Sequence, residues 1–427
     1  MHRKLTTIVL AAAALAGCGE EGPVGLDGLV PDDVVQTVEI VLDADVFIEK
    51  DTTLGGYSRP ALAGYVVIAD AYGGALDANA LTRFRLPPSS INYVDTEGAT
   101  KQDTMPTLIG GRVIARIDTT LARPSGPVQV ALYRTTEEWD PISAGWEMRV
   151  DTPGVRIPWT EPGGTRGELV DVATLEPDAD SLVFQVDSVT INLWADTTDA
   201  GRGALFVGET PGTQLRLSSL RLHFDARPSA RPDTVVTDSV APTRTTFIYT
   251  PAPRPDGTLL IGGIPAWRSF LQLKERLDTL VLTGPGGEEI RLGDATLNYA
   301  ALLLHPVEPQ AGFAPTDSVR LNVRAALGGG QIPLARAPLG DPFGPTVTLS
   351  PAVASSPGAP IELPISRALA ILTSAGDGAG IERPTLVLIG EVEGDQLGVA
   401  TFGATMAGAR APQLRLIVST VRKAQLP

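Results

Sequence analysis

Cysteine, histidine and lysine are scarce in this chain, which has one, three and five of them in 427 residues. A single cysteine forms no internal disulfide. With so few histidines it also leaves no ordinary zinc ligand set and little material for a Ser–His–Asp triad. GxSxG, HExxH and the phosphate-cradling GxxxxGK[ST] are absent. Basic residues are outnumbered, 34 against 49 acidic ones, for a formal charge of −15. A surface of that sign repels phosphate backbones, so nucleic acid is not expected as a partner. After the first 17 residues there is no apolar run near the roughly 20 residues that a membrane-spanning helix needs.

Glycine (45) and proline (36) are abundant, and both break helices and populate turns. From Val38 onward, short alternating runs are bounded by Gly, Pro, Asp and Thr. Val128, Val130 and Leu132 alternate with Gln129, Ala131 and Tyr133. Val189, Ile191 and Leu193 do the same with Thr190, Asn192 and Trp194, as do Leu220, Leu222 and Phe224 with Arg221, His223 and Asp225. This period of two reads as half-buried strands, and many short strands separated by turns indicate an all-β sandwich or barrel.

The N-terminus carries an address. Arg3 and Lys4 precede the apolar run Ile8 to Ala16, which ends within Leu15-Ala16-Gly17-Cys18. The run is too short to span a bilayer and has the layout of an export signal. Leu15-Ala16-Gly17-Cys18 resembles the lipobox of bacterial lipoproteins. That resemblance implies cleavage after residue 17, lipid on Cys18 and, with Gly19 following, passage to the outer membrane. Two or more acyl chains anchor stably where one does not. Residues 18–37 are rich in Gly, Pro and acids and read as a lipidated tether.

The halves of the chain look alike. Ala80–Phe84 matches Ser269–Leu273, Glu168–Asp171 matches Glu362–Ile365, Phe206–Gly208 matches Phe402–Ala404, and Leu220–Leu222 matches Leu414–Leu416, at nearly constant offset. A tandem duplication is expected. Residues 227–245 carry several prolines and little apolar alternation, and read as a linker. The expected organisation is a signal peptide (1–17), the tether (18–37), β-sandwich domain 1 (38–226), the Pro-rich linker (227–245) and β-sandwich domain 2 (246–427).

Leu81-Thr82-Arg83-Phe84-Arg85-Leu86-Pro87 opens a longer pattern. Val128 to Trp139 leads on to Ser143 and Trp146, then Glu168 to Val172, Ser181 to Phe184, Leu205 to Glu209 and the run Leu217 to Phe224. The order resembles the DNRLRE-type domain of bacterial surface proteins over roughly residues 76–225, and more faintly over 260–420. The resemblance implies jelly-roll-like β-sandwich domains at an exported or cell-surface location.

Candidate binding residues are few. Trp139, Trp146, Trp159 and Trp194 lie in the first half and read first as filling the core or covering the rim of the sandwich, and second as a sugar platform, since sugars stack on flat indole faces. Trp194 is out of phase with Val189, Ile191 and Leu193, so it reads as the most exposed of the four. Glu137, Glu138 and Asp140 surround Trp139 and are the nearest approach to a glycosidase carboxylate pair. Calcium takes six to eight oxygen ligands. Asp43 and Asp45 on one strand face, and Asp196 and Asp199 in a loop, are the candidates for a structural ion. No organic cofactor is expected. His223 and His305 stand apart and read as solvated or strand-end residues. The composite expectation is a lipid-anchored envelope protein with a non-enzymatic binding or structural role, partnered by the membrane and by an envelope protein or polysaccharide. A carbohydrate binder using the first-domain tryptophans comes second, and a glycan-active enzyme third.

Overall fold

The computed structural model describes residues 33–118, 124–251, 256–274, 277–284, 287–327, 332–368, 385–394 and 396–423. The signal segment, Cys18 and the tether to residue 32 lie outside the described residues.

Among the described residues, the first half of the chain supplies β1 (Asp33–Asp43), β2 (Ile48–Leu54), β3 (Val66–Tyr72), β4 (Leu76–Phe84), β5 (Ile91–Val94), β6 (Thr100–Asp103) and β7 (Thr107–Ile117). It continues with β8 (Val128–Arg134), β9 (Met148–Thr152), β10 (Val155–Pro158), β11 (Leu169–Leu175), β12 (Ser181–Val186), β13 (Ala204–Gly208) and β14 (Thr213–Arg227). The second half supplies β15 (Val236–Val240), β16 (Pro242–Tyr249), β17 (Thr258–Gly262), β18 (Arg268–Leu273), β19 (Val281–Thr283), β20 (Glu289–Arg291) and β21 (Thr296–Leu304). It ends with β22 (Val319–Ala326), β23 (Leu339–Pro342), β24 (Val347–Leu349), β25 (Ile361–Pro364), β26 (Thr385–Gly390), β27 (Val399–Gly403) and β28 (Gln413–Lys423). Helices are short: α1 (Ala44–Phe47), α2 (Ser188–Ala195) and α3 (Pro351–Ser355).

The alternation seen in the sequence decides which faces turn inward. In β14, Leu215 and Leu217 are buried, then Leu220, Leu222 and Phe224. The phase jumps between Leu217 and Ser219, where pairing with β7 shifts register. A bulge adds one residue and lets both runs face the same core. The run at 189–193 behaves differently. Asp187 caps a helix, its carboxylate accepting from Thr190 N–H at 2.8 Å. Ile191 and Trp194, three apart, then bury together. The expected strand there is helix α2.

The strands form two lobes. Lobe 1 is a sheet in the order β11-β8-β13-β4-β3-β14-β7-β12, antiparallel throughout and nearly closed into an eight-stranded barrel, with β15 added on β14 and β16 on β4. Its end strands meet through a side chain: Gln185 N–H donates to the Asp171 carboxylate at 2.6 Å. The core holds Val130, Leu132, Phe184, Phe206, Phe224 and Phe247. A sandwich was expected here and a near-closed barrel is found. Lobe 2 has two larger sheets, β1-β28-β21-β25 and β2-β18-β26-β22-β23, with β24 also on β22, and the two-stranded sheet β17-β27. The two larger sheets fill one core, which includes Leu42, Phe47, Leu271, Leu302, Leu321 and Leu416.

The two lobes repeat one strand order. The run β12-β7-β14 in lobe 1 corresponds to β25-β21-β28 in lobe 2, and β4-β13-β8-β11 corresponds to β18-β26-β22-β23. The hairpin β5–β6 has its counterpart in β19–β20. Two of the sequence matches, β4 with β18 and β14 with β28, agree with this order. The other two are shifted: topology sets β12, not β11, against β25, and β26, not β27, against β13.

The lobes are not successive domains. β1 pairs β28 along its length and β2 pairs β18, so residues 33–54 belong to lobe 2 although they precede all of lobe 1. β15 pairs β14 and β16 pairs β4, so residues 236–249 belong to lobe 1 although they open the second repeat. β15 stands to β14 as β1 stands to β28, and β16 to β4 as β2 to β18. Each repeat therefore lends its first strand pair to the other. The expected boundaries 38–226 and 246–427, and the linker at 227–245, are corrected accordingly. Val240, from the expected linker, and Phe247, from the expected domain 2, are both buried in the lobe 1 core, where an unpaired linker would leave Val240 exposed.

Candidate functional site

Residues 135–167, between β8 and β11, fold over the outside of the barrel wall. On β13, Phe206 points into the barrel while Leu205 and Val207 point out, and on β4 Leu81 also points out. Those outward residues collect Trp139, Trp159 and the half-buried Trp146 into a second small core. Trp139 is 1% exposed and Trp159 5%. Trp159 donates its indole N–H to the Gly145 carbonyl at 2.9 Å. Buried Asn79 on β4 reaches out to the Gly163 carbonyl at 2.8 Å. Gly163 has φ +87°, and a Cβ there would lie 2.8 Å from the Trp146 ring, so only glycine fits.

Trp194, expected to be the most exposed, is 4% exposed. It sits on α2, packs 5.6 Å from Phe84 and donates to the Gly203 carbonyl at 3.1 Å. The strand phase that placed it outward does not exist. These tryptophans are packing residues, and Trp139, Trp159 and Trp194 present no stacking face to solvent.

The acidic candidates are likewise engaged. Glu137 accepts from both hydroxyls of Thr160 and Thr165, the latter at 2.8 Å. Burial opposes ionisation of Glu137, but these hydrogen bonds outweigh it and hold the carboxyl below its usual range. Asp140 accepts from Ser143 N–H at 2.9 Å and from its hydroxyl at 2.6 Å. The Glu138 carbonyl accepts from Arg149.

Asp43 ends β1 and accepts from Gln413 at 2.8 Å, whereas Asp45 lies in α1, so the two do not share a strand face. Asp196 accepts from Thr198 N–H and hydroxyl at 2.8 and 2.7 Å, and Asp199 accepts from Gly201 N–H at 2.9 Å. Among the described residues, no group of three or more His, Cys, Asp or Glu could hold a metal ion. His223 lies on β14, where burial, then Arg112 and Arg221, push its pKa down. His305 Nε2 stands 3.4 Å from Gln413 Oε1.

The open spaces lie instead along the seam between lobes. One cavity of about 600 Å³ is lined by Tyr57, Tyr65, Arg268 and Glu393 among others. Its inner charges satisfy one another. Arg268 grips Glu393 with two bonds of 2.6 Å and lies 3.8 Å over the Tyr57 ring. A second, of about 440 Å³, is walled by Leu76, Leu260, Ile264, Trp267, Phe313 and Val399, with Glu308 on its lining. Leu76 and Trp267 are equivalent residues. Each resumes the chain after a hairpin turn, Leu76 bridging back to Tyr72 and Trp267 to Gly262.

The segment 308–313 is clamped across this cavity. Tyr72 donates its hydroxyl to the Gly312 carbonyl at 2.8 Å, Gln310 donates to the Gly73 carbonyl at 3.2 Å, and Phe313 meets Tyr72 edge-on at 5.6 Å. A Cβ on Gly73 (φ +58°) would lie 2.5 Å from the Phe313 ring. Sequence reasoning passed over Trp267 because it stands alone. Its place in a cavity depends on contacts between Leu76, Phe313 and Val399, which are far apart in the chain.

Comparison of the chain with protein-family models gives no match, and comparison with curated protein sequences gives none either. The resemblance to DNRLRE-type domains rests on its residue pattern alone.

Proposed function

We propose that this chain is a lipid-anchored protein of the bacterial cell envelope whose folded part has a non-enzymatic binding or structural role. The observation behind this reading is the fate of the reactive side chains. The tryptophans, the Glu137 and Asp140 carboxylates and the calcium candidates Asp43, Asp196 and Asp199 are taken up in packing and hydrogen bonds. The exchanged strands tie two lobes into one body that a tether can carry as a unit. Common descent of the lobes by duplication belongs to the same reading, as does a relation to the DNRLRE-type surface domains. The sugar-platform alternative loses its basis with the burial of Trp139, Trp159 and Trp194.

Metabolic labelling with radioactive palmitate, followed by membrane fractionation, tests the anchor. Label and membrane association are expected in the native chain and are expected to vanish in Cys18→Ser. Label-free protein that leaves the cell equally well with or without Cys18 would overturn it.

A further inference from the structure

We propose that the cavity over Trp267 binds a small organic cation with an apolar body, of the substituted-ammonium class. Its volume of about 440 Å³ is within the range of small-molecule sites. Two aromatic rings, Trp267 and Phe313, line it, and aromatic faces attract cations through their quadrupoles. Glu308 is the one charged residue on the lining, and no Lys, Arg or His accompanies it. Glu308 is exposed and makes no ion pair or hydrogen bond among the described residues. Its carboxylate is therefore available to a ligand.

Alternative ligand classes fit less well. An anion would face Glu308 with no compensating cation, in a chain of charge −15. A free sugar needs a ring of hydrogen-bonding partners, whereas eight of the twelve lining residues are apolar. A cation with an apolar body uses both the aromatic walls and the carboxylate, and the acidic surface concentrates it near the site. The site is also preorganised. The bonds from Tyr72 to Gly312 and from Gln310 to Gly73 fix the segment that carries Glu308 and Phe313, so little ordering remains to oppose binding. The assignment does not depend on the lipid anchor, and a failure of labelling at Cys18 leaves it standing.

Calorimetric titration of the full chain with benzyltrimethylammonium tests it, with benzyl alcohol as the uncharged aromatic control. Saturable one-to-one binding is expected, weakened about tenfold in Glu308→Gln and about tenfold or more for benzyl alcohol. Trp267→Leu should abolish it. Glu308 is exposed, so Glu308→Gln should melt as the native chain does, which keeps the test independent of folding. Absence of saturable binding, native affinity in Glu308→Gln, or equal affinity for benzyl alcohol would each overturn the proposal.

Discussion

In lobe 1, β3 hydrogen-bonds to both β4 and β14 and joins the two halves of the strand order into one curved sheet. In lobe 2 its counterpart β17 pairs β27, much as β3 pairs the first residues of β14, and β17–β27 remains a separate two-stranded sheet beside the two larger ones. Leu259 and Ile261 on β17 feed the main core, while Leu260 on the opposite face joins Trp267 and Val399. In lobe 1 the long strand β14 pairs both β3 and β7 and carries the sheet toward closure, whereas in lobe 2 the same path is divided between β27 and β28 and the sheets stay separate. Lobe 1 uses the same strand order to support the tryptophan-bearing excursion at 135–167, whereas the corresponding connection of lobe 2, residues 327–338 between β22 and β23, is shorter and carries no tryptophan. Scaffold and elaboration are separable in this fold.

If each lobe is completed by the other repeat, damage to a strand should appear in the lobe it pairs with and not in its sequence neighbour. Phe47 follows β1 and is fully buried in lobe 2, and Phe247 on β16 is fully buried in lobe 1. Phe47→Ala should cost the lobe built mainly from the second repeat about 3–5 kcal/mol, and Phe247→Ala should cost the barrel as much. Hydrogen exchange read separately on β22 and β8 would assign each loss. Losses that follow sequence order would break the comparison.

Smaller effects should be confined to lobe 1. Removing the helix cap with Asp187→Ala should destabilise lobe 1 by about 1 kcal/mol and leave exchange in lobe 2 unchanged. Glu137 gives the smallest effect, and its sign is set by its depressed pKa. Its contribution is complete above the ordinary glutamate value of 4.5 and is lost as pH falls through the lower folded value. Acid melting of lobe 1 in Glu137→Gln should therefore lack that part of the pH dependence below about pH 4.5, while lobe 2 melts as before.

Local features of this fold were legible in the residues. The alternation in β8 and β14 placed the right side chains inward, and the matches between β4 and β18 and between β14 and β28 revealed a repeat. Where the reading failed, a stronger local signal or a distant partner decided. Val189, Ile191 and Leu193 have the spacing of a strand, but Asp187 three residues before Thr190 caps a helix. Trp139 and Trp159 were readable as core or rim packing, but nothing near them in sequence shows that Leu81, Leu205 and Val207 turn outward to meet them. The exchange was the least legible feature. β1 has the pattern of a strand, and its apolar residues suit either core. Which of two similar lobes receives it depends on pairings nearly 400 residues apart.

The exchange can be tested at one pair of residues. Thr37 on β1 faces Ser419 on β28, with their hydroxyls 3.1 Å apart. The only native cysteine is Cys18, so a chain carrying Cys18→Ser, Thr37→Cys and Ser419→Cys has two thiols. Mild oxidation, followed by peptide mapping, reports whether they join. The account predicts a quantitative internal disulfide linking the two ends of the chain, with both lobes still folded. Thiols that stay free in the folded chain, with Thr37→Cys crosslinking instead to a cysteine placed at Asp225 on β14, the position equivalent to Ser419, would contradict it and return β1 to its own repeat.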